Sequence, residues 1–184
     1  MTLLIAIYAR LTRGLDALAP SLVPLLARFS FAAVLLVYFW SSAITKLGPG
    51  LFGFLQPSDG AYIQIFPQVV EAIGYDFDQL GLFHRVVVMA GTWAEFLLPL
   101  LVVLGLFTRL AALGMIGFIM VQSATDILGH GVAGDDLGHW FDRASDALIL
   151  DQRALWVFLL LVLVLKGGGA LSLDTVLRRK IQAS

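Results

Sequence analysis

The stretch Val86-Val87-Val88-Met89-Ala90-Gly91-Thr92-Trp93-Ala94-Glu95-Phe96-Leu97-Leu98-Pro99-Leu100-Leu101-Val102-Val103-Leu104-Gly105-Leu106 carries a single charged side chain, Glu95. As a helix it would be about 30 Å long, the thickness of the hydrocarbon core of a bilayer. Three more stretches share this character, at about 25–45, 110–128 and 154–171. The sequence therefore predicts an all-α integral membrane protein, a bundle of four transmembrane helices. Composition agrees: 59% of the 184 residues are hydrophobic and 14% charged, and the mean hydropathy is +0.90. Ordinary soluble domains fall far from these values.

The remaining residues are too dispersed for a separate soluble unit, so 1–184 reads as one membrane domain. The absence of cysteine excludes disulfide exchange, thiolate metal sites and Cys-attached haem. The segment Met1 to Ala9 lacks the basic start of a signal peptide, and Arg10 and Arg13 stand where cleavage would fall, so it is expected to be retained. Leu4, Leu11, Leu15 and Leu18 recur at helical spacing beside Arg10, Arg13 and Asp16. That pattern fits an interfacial helix over 1–24, lying in the headgroup region and ending around Pro20 and Pro24; a frayed tail is the alternative.

Charge gives the bundle a direction. The N-terminus, the turn at Arg109 and the C-terminal tail hold most of the basic residues, whereas the two long connections hold most of the acidic ones. Basic flanks mark the cytoplasmic side. Both termini are thus expected in the cytoplasm, with two long outer loops. The first loop contains Tyr62 to Ile73, whose aromatics and Pro67 suit an interfacial or shallow re-entrant helix. The second carries Trp140-Phe141, an aromatic pair suited to the membrane surface.

An ionisable group at mid-depth costs roughly 2.5–3.5 kcal/mol or more. Glu95 must therefore stay protonated or pair with a cation. Lys46, at the outer end of the first span, can reach it, while Arg28 is placed to snorkel toward cytoplasmic phosphates. In the third span Gln122, Asp126 and His130 recur every four residues, with Ser123 and Thr125 beside them, and so form one polar stripe rising outward. Ser41, Ser42 and Thr45 can supply hydroxyls at similar depth. Two readings follow: an outward-opening polar chamber floored by Glu95, or interhelical hydrogen bonds that only fix helix register.

The metal-ligating candidates are His130, Asp126, His139 and His84, but only Asp126 and His130 stand at ligand spacing. No nucleotide, hydrolase or metalloprotease motif is present, so no catalytic residue is assigned and no nucleic-acid partner is expected. Gly167-Gly168-Gly169 follows no strand and points to close helix approach or a flexible exit.

Three segments in order, Arg28 through Lys46-Leu47, Glu95-Phe96-Leu97-Leu98-Pro99 through Thr108-Arg109-Leu110-Ala111-Ala112, and Gly167-Gly168-Gly169-Ala170-Leu171-Ser172-Leu173-Asp174, together resemble the DoxX family of small four-helix bacterial membrane proteins. The resemblance implies the bacterial cytoplasmic (inner) membrane and a redox association, the group being named after a small subunit of thiosulfate:quinone oxidoreductase. It implies a motif of Arg28, Arg109, Ser172 and Asp174 on the cytoplasmic side. The expected function is an accessory subunit of a redox- or metal-linked system, with the chamber taking quinone or a similar amphiphile. Glu95 and Lys46 would contact the headgroup, with Ser42, Thr45, Gln122, Asp126 and His130 around them. The alternatives are a non-catalytic scaffold docking a membrane or periplasmic protein through its acidic loops, and a small transporter, which would need to form a homo-oligomer to build a pathway.

Overall fold

A computed structural model describes residues 2–50 and 52–183. Met1 of the N-terminal segment, Leu51 of the first long connection and Ser184 lie outside the described residues. Among the described residues four helical segments are long and apolar enough to cross a membrane: Leu3–Thr45, Leu82–Leu104, Thr108–Gly129 and Leu148–Lys166.

The first is built from α1 (Thr2–Phe31), a wide π turn (Ala32–Leu36) and α2 (Val37–Thr45). Ala27, Phe31, Leu35, Phe39 and Ala43 recur every four residues, and all are buried. This is the stripe by which the helix packs on its neighbours. From Leu3 to Val23 the side chains are exposed, Ala9 and Thr12 partly so, and the exposed ones include Leu4, Leu11, Leu15 and Leu18. The expected helix before the prolines is present, but no break follows it. Pro20 and Pro24 sit inside α1, where a membrane helix tolerates the backbone groups that a proline frees. At 43 residues the helix is about 65 Å long, twice the hydrocarbon thickness. The portion that packs in the bundle, from Pro24 onward, accounts for about half of it.

The first long connection forms α3 (Asp59–Ile65) and α4 (Pro67–Ala72), so the run Tyr62 to Ile73 is helical up to Ala72 with a break at Phe66. The Ser58 hydroxyl accepts from Ala61 N at 3.3 Å and caps α3. Next come α5 (Leu82–Leu104) and α6 (Thr108–Ala124), the latter extended by a π turn (Thr125–Gly129). A third π stretch (Leu148–Arg153) opens α7 (Ala154–Lys166), and α8 (Leu173–Ala183) follows. The fourth span begins and ends a few residues earlier than its apolar run predicts. Gly167, at φ +76°, adopts a conformation that stops a helix.

The fourth span packs on the third and the first, and the second packs on the third and the first. Phe39, Met115, Ile119, Leu160 and Leu163 are fully buried at their centre, and Phe39 meets Phe118 and Trp156 edge-on at centroid distances of 5.9 and 6.2 Å. Lipid is as apolar as these side chains, so close packing and polar contacts hold the helices together.

At the end from which both terminal segments leave, a polar clasp joins three spans. Arg28, expected to snorkel, is only 8% exposed. It donates to Val102 O (3.2 Å), Val103 O, Gly168 O (3.1 Å) and Leu171 O (2.6 Å). The last carbonyls of α5 lack helical partners and carry the negative end of its dipole, which draws the guanidinium inward. Asp174 accepts from Phe107 N (2.7 Å), Thr108 N (2.9 Å) and the Thr108 hydroxyl (2.6 Å), capping α6 from a distant part of the chain. Close approach explains the glycines. A Cβ on Gly168 would lie 2.6 Å from Thr108 Oγ1, and one on Gly105 would lie 2.8 Å from Arg28 Cζ. Ser172 Oγ donates to Gly169 O at 2.7 Å, so Arg28, Ser172 and Asp174 form one unit. Arg109 stands beside it, donating to Val164 O at 3.1 Å.

Asp174→Ala should lower stability by about 1–2 kcal/mol through the lost cap, and Gly105→Ala should lower it at least as much. Unfolding in mild detergent measures both, and an Asp174→Ala variant as stable as the parent would contradict the clasp.

Candidate functional site

Glu95 is the fourteenth of the 23 residues of α5, and it is 3% exposed. Lys46, the residue that ends α2, is 5% exposed. The ammonium donates to Glu95 Oε2 at 2.9 Å and Oε1 at 3.0 Å, and to Ser42 Oγ at 2.7 Å. Ser42 Oγ in turn donates to Glu95 Oε1 at 3.1 Å. A bilayer interior offers no water to either charge, so the pair and its hydroxyl must satisfy each other. Of the two cations that the sequence offered to Glu95, Lys46 is the partner, and Arg28 belongs to the clasp.

The pair forms one wall of a cavity of about 560 Å³ between α5 and α6. Ala90, Gly91 and Ala94 of α5 and Gly114 and Gly117 of α6 line it, and their small size leaves the space open. A Cβ on Gly114 would lie 2.9 Å from Leu98 Cδ2, whereas one on Gly117 would meet nothing within 4 Å. Ala90, Gly117 and Val121 are exposed along the rim, so the cavity opens sideways, between helices, at the level of the spans. Gln64 and Ile65 of α3 line its far end.

Lys46, Ser42, Gln122, Asp126 and His130 all line this cavity with Glu95. Gln122 donates through Nε2 to Tyr38 Oη at 3.1 Å, and its Oε1 is buried without a partner. Asp126 pairs with Arg153 at 2.5 Å, and Arg153 also donates to Ser123 Oγ at 3.0 Å. Both partners of that ion pair stand in π stretches, whose wider turns recur at functional sites. His130 Nε2 lies 2.9 Å from Gln64 O, and Gln68 Nε2 donates to Leu128 O at 2.7 Å. These two bonds dock α3 and α4 against the third span. Thr45 does not line the cavity; it donates to Ser42 O at 2.7 Å. Ser41 is exposed.

The histidines do not converge. His84 stacks edge-on against Phe66 at a centroid distance of 5.0 Å, and His139 is exposed. Among the described residues no three His, Asp or Glu side chains gather as a metal site would require. Sequence reasoning missed Arg153 as the partner of Asp126, although both are charges at adjoining ends of neighbouring spans. It also missed Tyr38 and Gln64, which no local pattern marks.

Removing one member of a buried ion pair strands the other, whereas removing both restores an apolar interior. Lys46→Met and Glu95→Leu are each expected to destabilise by about 3–5 kcal/mol, and the double variant to recover most of that loss. A double-mutant cycle in detergent tests this, and simple additivity would show that the pair is not coupled.

The sequence model of the DoxX family matches residues 23–125, more than half of the chain. The matched region runs from the start of the packed part of the first span through Lys46, Glu95, Arg109 and Gln122, and stops just before Asp126. No curated protein and no solved structure matches the chain. With four apolar helices and this match, the chain is a multi-pass membrane protein that belongs to the DoxX family.

Proposed function

We propose that this protein is an accessory subunit of a redox- or metal-linked system in the bacterial cytoplasmic membrane, and that its lateral cavity holds the headgroup of a quinone-type amphiphile. Both termini face the cytoplasm in this reading, and α3 and α4 lie on the outer side. The observation that carries it is a charged pair at mid-span, Glu95 with Lys46, in the wall of a cavity whose mouth lies between helices. A tailed molecule can enter such a cavity from the bilayer while its ring exchanges hydrocarbon for hydrogen bonds.

Unused hydrogen-bonding capacity gives the headgroup its character. Lys46 spends its donors on Glu95 and Ser42, whereas the Glu95 carboxylate retains acceptor capacity and Gln122 Oε1 has no partner. A headgroup carrying hydroxyl donors, such as the hydroquinone form, fits better than one carrying only carbonyl acceptors. Asp126 and His130, at the outer end of the same cavity, would exchange its protons with the surface. The chain's own part is binding, orientation and proton exchange; the electron partner is another protein.

One observation favours a second reading. Lys46, Glu95 and Ser42 satisfy one another, as they would in a scaffold whose charges only hold the helices. A scaffold would dock its partner through the outer loop of Asp135, Asp136 and the exposed Trp140 and Phe141.

Gly117→Leu separates the two, because it adds bulk to the cavity lining at a position where a Cβ meets nothing within 4 Å. Titration with decylubiquinol is expected to show saturable binding to the parent, weaker binding of decylubiquinone, and a loss of about tenfold or more in Gly117→Leu, equivalent to at least ~1.4 kcal/mol. Unchanged binding in that variant, or none in the parent, would favour the scaffold.

A further inference from the structure

A second cavity, of about 330 Å³, lies at the end of the bundle from which both terminal segments leave. It has no place in the proposed chemistry of the first. Arg109 at the start of α6, Lys166 at the end of α7 and Arg178 on α8 all line it. The one carboxylate in its wall, Asp174, is engaged by Phe107 N, Thr108 N and the Thr108 hydroxyl. Three cations thus face one carboxylate that is already engaged. Arg109 gives one N–H to Val164 O, and among the described residues the exposed side chains of Lys166 and Arg178 form neither ion pair nor hydrogen bond. The donors to Asp174 are neutral, so Asp174 keeps its charge and offsets one of the three cations; the excess positive charge that remains would be relieved by an anion seated between them.

The surroundings point to where such an anion comes from. The cavity sits where the third and fourth spans end, and Leu110 lines it while Leu165 and Leu171 are exposed nearby, each about 70%. An acyl chain could run along these side chains while its phosphate enters the cavity. Basic pockets between helix ends bind anionic lipid headgroups in this way.

We propose that the Arg109-Lys166-Arg178 cavity binds the phosphate of an anionic phospholipid headgroup, which would fasten α8 to the ends of the third and fourth spans. It can be tested on the full chain in mild detergent by native mass spectrometry, titrating dioleoylphosphatidylglycerol, dioleoylphosphatidylcholine and inorganic phosphate. The expected result is at least one phosphatidylglycerol bound well below the concentration at which phosphatidylcholine binds, with millimolar inorganic phosphate unable to displace it. Lys166→Gln/Arg178→Gln should weaken that binding by about thirtyfold, roughly fivefold for each cation lost near a membrane surface. Arg179→Gln/Lys180→Gln removes the same charge from the same region outside the cavity and should weaken it less than about threefold. The single variant Arg178→Gln, with an intermediate loss, would confirm the assignment should the double variant fold poorly. Equal losses in the two double variants, or equal binding of the two lipids, would overturn the proposal. Inorganic phosphate that binds as tightly as the lipid would overturn the lipid as the source of the anion.

Discussion

A carboxylate in the middle of a bilayer cannot be left alone, and the arrangement of this bundle around Glu95 follows from that constraint. Its partner lies at the end of the first span, so α2 and α5 must pack side by side at the depth where Lys46 and Glu95 meet at 2.9 Å. Ser42, one turn before Lys46, accepts from the ammonium and donates to Glu95 Oε1, which ties both groups together. A bundle registered in this way brings α2 against α5 on one side of the pair. The small residues of α5 and α6 leave space on the other. The ion pair is therefore structural and chemical at once: it fixes the register, and it presents acceptor capacity to the cavity.

The opposite end is held by different chemistry. Arg28 is buried there, and its partners are backbone carbonyls at the end of α5 and in the glycine-rich turn. No acid neutralises it directly; helix-end and turn dipoles do. Asp174 completes the arrangement by capping α6. The small residues that line the cavity lie on both sides of the ion pair's level: Ala90, Gly91 and Ala94 of α5 stand beyond Glu95 from the clasp, and Gly114 and Gly117 belong to the facing helix α6. The same clasp brings α8 to the ends of the third and fourth spans, where its Arg178 joins Arg109 and Lys166.

Much of this is legible in the sequence, for physical reasons. Lipid imposes length and apolarity on each span, so four helices can be read from composition along the chain. The cost of charge in hydrocarbon singles out Glu95, and the reach of a lysine stem selects Lys46. Helical spacing places Gln122, Asp126 and His130 on one face, and all three do line the cavity with Glu95. Other features cannot be read locally. Asp126 finds Arg153 through the packing of the third and fourth spans, Gln122 finds Tyr38 across the bundle, and His130 meets a backbone carbonyl of α3. Arg28 was expected at the headgroups because its distance from the last carbonyls of α5 depends on the tertiary fold. Pro20 and Pro24 signal a helix end in water, yet in this chain the helix passes through both.

Crystallography of the protein grown from native lipid would show whether the ion pair walls a cavity for a tailed headgroup. The expected density is a ring with a tail, its ring within hydrogen-bonding distance of Glu95 or Gln122 and its tail leaving past Gly117 into the bilayer. A cavity closed by Leu98 and Val121, or filled by an acyl chain with no polar atom near Glu95, would contradict it.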